Sequence, residues 1–244
     1  MSVTTASDEP KLDVGWVVRS TANILRRRAA DLLVVAVPFV WLPNILIAFL
    51  PDQLNRLQIL AGIPGLVFVG GGSLLAYREL TGGERLTGAG AISAGAARFG
   101  TMWAIAFISG LATLVGLLLL IVPGVIATVG FMSASTAAMA EGRGSSAALE
   151  RAWSLGRGSR WRLTALLGLG LLCLVGLLVI TMVVGIIMGL VGATDTIEPI
   201  VSYAISPIVG VVFTAITTVG SAAAYVNIRT AKEGPSADVA NIFT

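Results

Sequence analysis

Five stretches of this chain contain no charged residue: 32–51, 57–77, 99–140, 163–194 and 199–228. A helix needs about 20 residues to cross the hydrocarbon core of a bilayer. Each stretch is long enough for at least one crossing. One such stretch can be a buried core helix, but five in 244 residues point to lipid as the main solvent. Composition agrees. Only 12% of residues are charged, against roughly 25% in soluble domains, and the mean hydropathy is +0.91.

The third stretch is too long for one crossing and about right for two. Near its middle stands LLLLIVPGVIATV, residues 117–129. Proline has no N–H to donate and clashes with the preceding turn of a helix, yet is well tolerated in a helix's first turn. Pro123 and Gly124 therefore predict a tight turn at 122–124, between a helix at about 101–121 and one at about 124–140. The other stretches predict helix one at about 32–50, with Pro43-Asn44 as a kink, and helix two at about 58–77. Helix five falls within 163–194 and helix six at about Pro207–Val226. The expected fold is all-α: a polytopic membrane bundle of six transmembrane helices with interfacial amphipathic helices. Residues 12–232 form its single domain, between a disordered tail at 1–11 and a flexible tail at 233–244, both cytoplasmic.

Six crossings sort the cations. Of 16 lysines and arginines, fifteen fall on one side and only Arg56 on the other, where the loops hold Asp52, Asp195 and Glu198. Basic residues near crossing ends stay in the cytoplasm, so both termini are expected inside.

The even-numbered helices resemble one another. IPGLVFVGGGSLLAYREL starts at Ile63, VPGVIATVGFMSASTAAMAE at Val122 and SPIVGVVFTAITTVGSAAAYVNIR at Ser206. Each places a proline second (Pro64, Pro123, Pro207), runs through small residues and ends near a charged stop. LVGL recurs at 114–117 and 174–177. Basic amphipathic stretches precede helices one and five, and a weak version, GAGAISAGAARFG, precedes helix three. Before helix one, Val14, Val17, Val18, Thr21 and Leu25 share a side, with Trp16 toward the polar side. The pattern predicts a threefold repeat of interfacial helix, crossing and proline-started crossing. The small residues permit close backbone contact, which lipid-embedded helices need because apolarity alone cannot hold them together.

Catalytic chemistry is poorly supplied. The chain has no histidine and one cysteine, Cys173. Ser154, in RAWSLGRG, has no activating partner in sequence. No charge sits at mid-membrane to mark a translocation path. No cofactor or metal is expected, and the +3 charge follows from topology rather than from nucleic-acid binding. What remains is a cytoplasmic cluster of Glu79, Glu84, Glu141 and Glu150 with Arg78, Arg85, Arg143 and Arg151. It reads as an interfacial charge network, or as a site for a phosphate headgroup or an acidic partner. Glu141 is expected to pair with Arg143, Arg151 or Arg157, with Trp153 and Trp161 anchoring the region at the bilayer surface.

Residues 121–169, IVPGVIATVGFMSASTAAMAEGRGSSAALERAWSLGRGSRWRLTALLGL, resemble the membrane domain found beside bacterial glycerophosphodiester phosphodiesterases, and related six-helix inner-membrane proteins. The resemblance rests on Pro123, Gly124, Glu141, Arg151, Ser154, Gly158 and Trp161. Where the family often has a serine, this chain has Ala152. The carboxylates and histidines of phosphodiester chemistry are not among these residues, so the resemblance implies a membrane part and no activity. Two functions follow as expectations. One is a non-enzymatic protein of the bacterial inner membrane that scaffolds a membrane-protein partner or organises phospholipid, including anionic headgroups. The alternative is a transporter of a lipid or small solute.

The charge split makes the topology testable. With Cys173 replaced by serine, single cysteines at 54 and 196 should react with an impermeant thiol reagent added outside the cell, and those at 145 and 236 should not. Labelling at 145 but not at 54 would reverse the orientation.

Overall fold

The computed structural model describes residues 12–48, 58–190 and 206–234, all in helices or the links between them, with no strand among them. The expected tail at 1–11, the outer loops around 51–57 and 195–198, and residues 235–244 lie outside the described residues.

The order is a short helix, a long apolar segment, then a second long segment, three times over. The first round is α1 (Val14–Arg27), then α2 (Ala29–Ala36) running through a π-helical turn into α3 (Leu42–Ala48), then α4 (Gln58–Thr81). The second is α5 (Gly88–Ala97), α6 (Phe99–Leu119), and α7 (Ile121–Phe131) with α8 (Ala134–Glu141). The third is α9 (Ser145–Gly156), α10 (Arg160–Leu190) and α11 (Ser206–Glu233). The last segments of the three rounds are the inner ones: α4 packs on both α8 and α11. Burial follows that arrangement. Over one 18-residue stretch of each segment, half of the residues of Pro207–Glu233 and 44% of those of Ile121–Glu141 are buried, against 17% for Phe99–Leu119 and none for Arg160–Ile187, whose buried Leu163 and Leu166 lie outside that stretch. Leucine-rich helices face outward and glycine- and alanine-rich helices face one another, as expected where lipid is the solvent.

Five helical segments are long and apolar enough to cross a membrane: Ala29–Leu46, Phe99–Leu119, Ile121–Glu141, Arg160–Ile187 and Pro207–Glu233. The expected second crossing lies in α4, which is 24 residues long but is not one of the five. The amide of Asp13 donates to Asn227 Oδ1 at 2.9 Å, so the two ends of the described chain meet at one end of the bundle.

Backbone contact explains why α4 is glycine-rich. A Cβ on Gly71 would lie 2.2 Å from the carbonyl oxygen of Ala91, and one on Gly95 would lie 2.3 Å from that of Val67. Thus α5, expected as a weakly amphipathic interfacial helix, is pressed onto α4 through small residues.

Several expected details are corrected. The α6–α7 reversal is made by one extended residue, Leu120, rather than by 122–124. Pro123 sits in the first turn of α7. Gly124 serves the return: a Cβ on Gly116 would lie 2.8 Å from its Cα, and Thr113 and Thr128 hydroxyls meet at 3.3 Å further along. The expected fourth helix breaks between α7 and α8 at Met132–Ser133. Pro64 lies inside α4 rather than at its start, whereas Pro207 is the second residue of α11. Helix one begins at Ala29, and its irregularity precedes Pro43. The Leu42 amide reaches back to the Val37 carbonyl; Pro43 then has no N–H to give, and Asn44 Nδ2 donates to Val40 O at 2.6 Å. On α1 the packed stripe is Val17, Thr21 and Ile24; Val18 is 41% exposed, and Trp16 packs against the core. Finally, α11 extends through Glu233, a residue expected in the tail.

Gly71→Ala should destabilise the bundle by about 1–3 kcal/mol, the usual cost of forcing atoms into a filled contact. Gly62→Ala should be nearly neutral, because no atom lies within 4 Å of a Cβ there. Thermal unfolding of both variants in detergent checks the contrast.

Candidate functional site

The three inner segments end alike. Each closes on a glycine in the left-handed region: Gly82 after α4, Gly142 after α8 and Gly234 after α11, with φ of 70°, 67° and 79°. A side chain is strained there, so LTGG, AEGR and KEGP act as helix stops. These stops bring the last turns of the three helices, and their charges, to one end of the bundle.

Glu141 is the hub. It is the last residue of α8, and its side chain is 10% exposed. Its Oε1 accepts from Arg151 Nε at 3.1 Å and from the Tyr225 hydroxyl, and its Oε2 accepts from Arg143 Nε. Arg229 Nε lies 3.9 Å from Oε1. The chain then turns at Gly142, and α9 brings Arg151 back against the same carboxylate. Arg151 also makes a two-pronged contact with Glu233, at 2.6 and 2.7 Å. Glu233 in turn pairs with Arg229 at 3.5 Å, and Arg229 Nη1 donates to the Tyr77 hydroxyl at 2.7 Å. The network therefore joins α4, α8, α9 and α11. The hydrogen bonds from Arg151 to Glu233 hold the Arg151 guanidinium further above its ordinary range, against the opposing effect of burial; Glu141 adds to the rise. Three guanidinium groups face two carboxylates, each within ion-pair distance of at least one partner.

Two arginines at helix junctions form a second kind of contact. Arg28 joins α1 to α2 and Arg98 joins α5 to α6, with nearly the same backbone angles, φ −115° ψ 19° and φ −112° ψ 18°. Arg28 donates to the Leu86 carbonyl beyond α4. Arg98 donates to Ala138 O at 2.8 Å, Gly142 O at 3.1 Å and Arg143 O at 3.2 Å, at the end of α8. Arg98 thereby holds a carbonyl that the last turn of α8 leaves without a partner, whereas Arg28 holds one in the link between α4 and α5. At the third junction the direction reverses, and Lys232 on α11 donates to the Arg157 carbonyl.

The expected site residues are distributed as follows. Glu141 and Arg151 are in the network, whereas Arg157 is exposed and contributes its backbone instead. Trp153 is half-buried: a Cβ on Gly130 would lie 2.3 Å from its ring, Phe131 packs at 5.3 Å, and the Arg160 guanidinium sits 4.4 Å above it. It is a packing residue between α7 and α9. Trp161 is 83% exposed. Ser154 Oγ donates to Arg151 O at 2.9 Å within its own helix. Pro64, Pro123, Gly124 and Pro207 are structural positions far along the chain from the ionic end. Sequence reasoning missed Tyr77, Tyr225 and Glu233, and the roles of Arg28, Arg98 and Arg229. A signal existed for Arg28, because it continues the buried stripe Val17, Thr21, Ile24 at helical spacing.

These features define an all-helical protein with five segments fit to cross a membrane and an ionic network at one end. No family model, curated protein or solved structure matches the chain, so the family resemblance rests on residues 121–169.

A double-mutant cycle on Glu141→Gln and Arg151→Gln should return a coupling of about 1–3 kcal/mol, the range for a charge-assisted bond between partly buried groups. Hydrogen exchange should speed up over residues 142–156 in either variant, while the inner helices keep their protection. Zero coupling would mean that the two side chains do not act on one another.

Proposed function

We propose that this is a non-enzymatic, six-crossing protein of the bacterial inner membrane that organises phospholipid or a membrane-protein partner at its cytoplasmic face. The observation that carries this reading is the filled centre. Ala76, Ala137, Ala138, Ala222, Ala223 and Ala224 on the inner helices are all fully buried. Two cavities, one of about 280 Å³ between α1, α10 and α11 and one of about 600 Å³ between α4 and α6, each have an outer helix as a wall, and neither lies between two inner helices. A transport path would instead run between the inner helices.

Six crossings are supported by the Asp13–Asn227 contact, which needs an even number of passes; α4 supplies the sixth. The threefold repeat is supported by the recurring element order and the three glycine stops. Cytoplasmic termini are supported by the fifteen-to-one charge split. Membership of the family of membrane domains beside glycerophosphodiester phosphodiesterases is supported by the motif at 121–169.

The test is to reconstitute the protein into vesicles carrying a fluorescent phosphatidylcholine and to follow its exchange between leaflets. The expected rate is that of empty vesicles, while discs cut from native membranes carry anionic phospholipid, or one protein partner in fixed ratio, above its bulk share. Fast lipid exchange would overturn the reading in favour of a lipid transporter.

A further inference from the structure

A cleft of about 410 Å³ opens at the ionic end, away from Glu141, and its wall is formed by Arg27, Arg28, Arg78, Glu79, Gly82, Gly83 and Arg85. Its arginines come from three separate parts of the chain: the end of α1 and its junction with α2, the last turns of α4, and the link after α4. Arg28 is only 4% exposed. Its Nη1 lies 3.3 Å from Asp31 and its Nε 3.5 Å from Glu79, but that buried Nε makes no hydrogen bond among the described residues. Arg27, Arg78 and Arg85 have no carboxylate within ion-pair distance among the described residues. Gly82 and Gly83 contribute no side chain to fill the space.

The balance of charge separates this cleft from the Glu141 network. Around Glu141, three guanidinium groups meet two carboxylates and all five are engaged. In the cleft, four guanidinium groups meet Glu79 and Asp31, and both carboxylates are held by Arg28. Three cations are therefore left converging on a concave space. Holding like charges together is unfavourable unless an anion is there to meet them. A guanidinium fork fits phosphate through two parallel hydrogen bonds. The cleft also lies at the charged end of the bundle, beside outward-facing apolar helices, which is the level of lipid headgroups. We propose that this cleft binds a phosphate group, carried by the headgroup of an anionic phospholipid or by free phosphate. The inference concerns residues apart from the Glu141 network, and it rests on the proposed lipid-organising role only if the phosphate is a lipid's.

The test compares two variants of the full chain that remove equal charge. Arg78→Gln with Arg85→Gln empties the cleft, and Arg19→Gln with Arg26→Gln removes two exposed cations of α1. In the lipid arm, the protein is placed in nanodiscs of phosphatidylcholine or of equal parts phosphatidylcholine and phosphatidylglycerol, and the lipids it retains are counted by native mass spectrometry. In the other arm, inorganic phosphate is titrated onto the protein in phosphatidylcholine nanodiscs. The wild type should select phosphatidylglycerol, or bind phosphate. The cleft variant should lose about tenfold or more of that affinity, as expected from losing charge-assisted hydrogen bonds, and the α1 variant should match the wild type. Loss in the first arm assigns the phosphate to a lipid, and loss in the second to a soluble anion. Equal loss in both variants would mean diffuse surface charge and would overturn the proposal, as would no binding in either arm. Should the cleft variant fail to fold, Arg78→Lys with Arg85→Lys keeps the charge and removes the fork; binding equal to wild type there would also overturn it. Fast lipid exchange would sink the proposed function but leave these outcomes untouched.

Discussion

The structure depends on backbone contact at Gly70–Ser73 of α4. Inside a bilayer, neighbouring helices gain nothing from apolarity that lipid tails do not already provide, so close packing must supply the attraction. At Gly71 the approach leaves no room for a single methyl group. α5 lies against that surface, and Met102 of α6 sits at 3.1 Å from where a Gly70 Cβ would be. On another side, Thr218 of α11 lies equally close to Gly72, at 3.3 Å. One helix thereby seats parts of all three rounds of the chain. It is covered by its neighbours rather than by lipid.

The same logic sets the two uses of charge. Helix ends leave carbonyls without partners, and near a membrane those groups need donors. Arg98 meets that need at the end of α8, and Arg28, at the equivalent junction, ties the start of α2 to the link after α4. Glu141, Arg151 and Glu233 tie the inner ends together. Beside these neutralised contacts the cleft at Arg78 and Arg85 stands out because three of its cations, Arg27, Arg78 and Arg85, have no carboxylate within ion-pair distance among the described residues.

Much of this was legible beforehand. Uncharged stretches are long and physically unambiguous, so the helical segments and their order could be read from residues 32 to 228. Glu141 was legible because it ends a small-residue helix and precedes a basic stretch. Tyr225 and Glu233 were not, because a tyrosine within an apolar run and a glutamate near a tail look ordinary until α11 is laid beside α8. Trp153 read as a bilayer anchor because an aromatic near arginines suits an interface; its burial depends on Gly130, twenty-three residues earlier. Arg157 failed as a partner because α9 ends one residue before it, so its side chain leaves the face that carries Arg151.

The sequence by itself determined what local chemistry controls: which segments avoid water, and where charged residues interrupt them. Those are properties of neighbouring residues and of lipid as a solvent. The tertiary structure alone decided which helices lie inside, that Leu120 rather than Pro123-Gly124 makes the reversal, and which arginines are spent and which are left over. Each of these depends on distances between residues far apart in the chain. A guanidinium is paired or unpaired only once the carboxylates of other helices have been brought beside it.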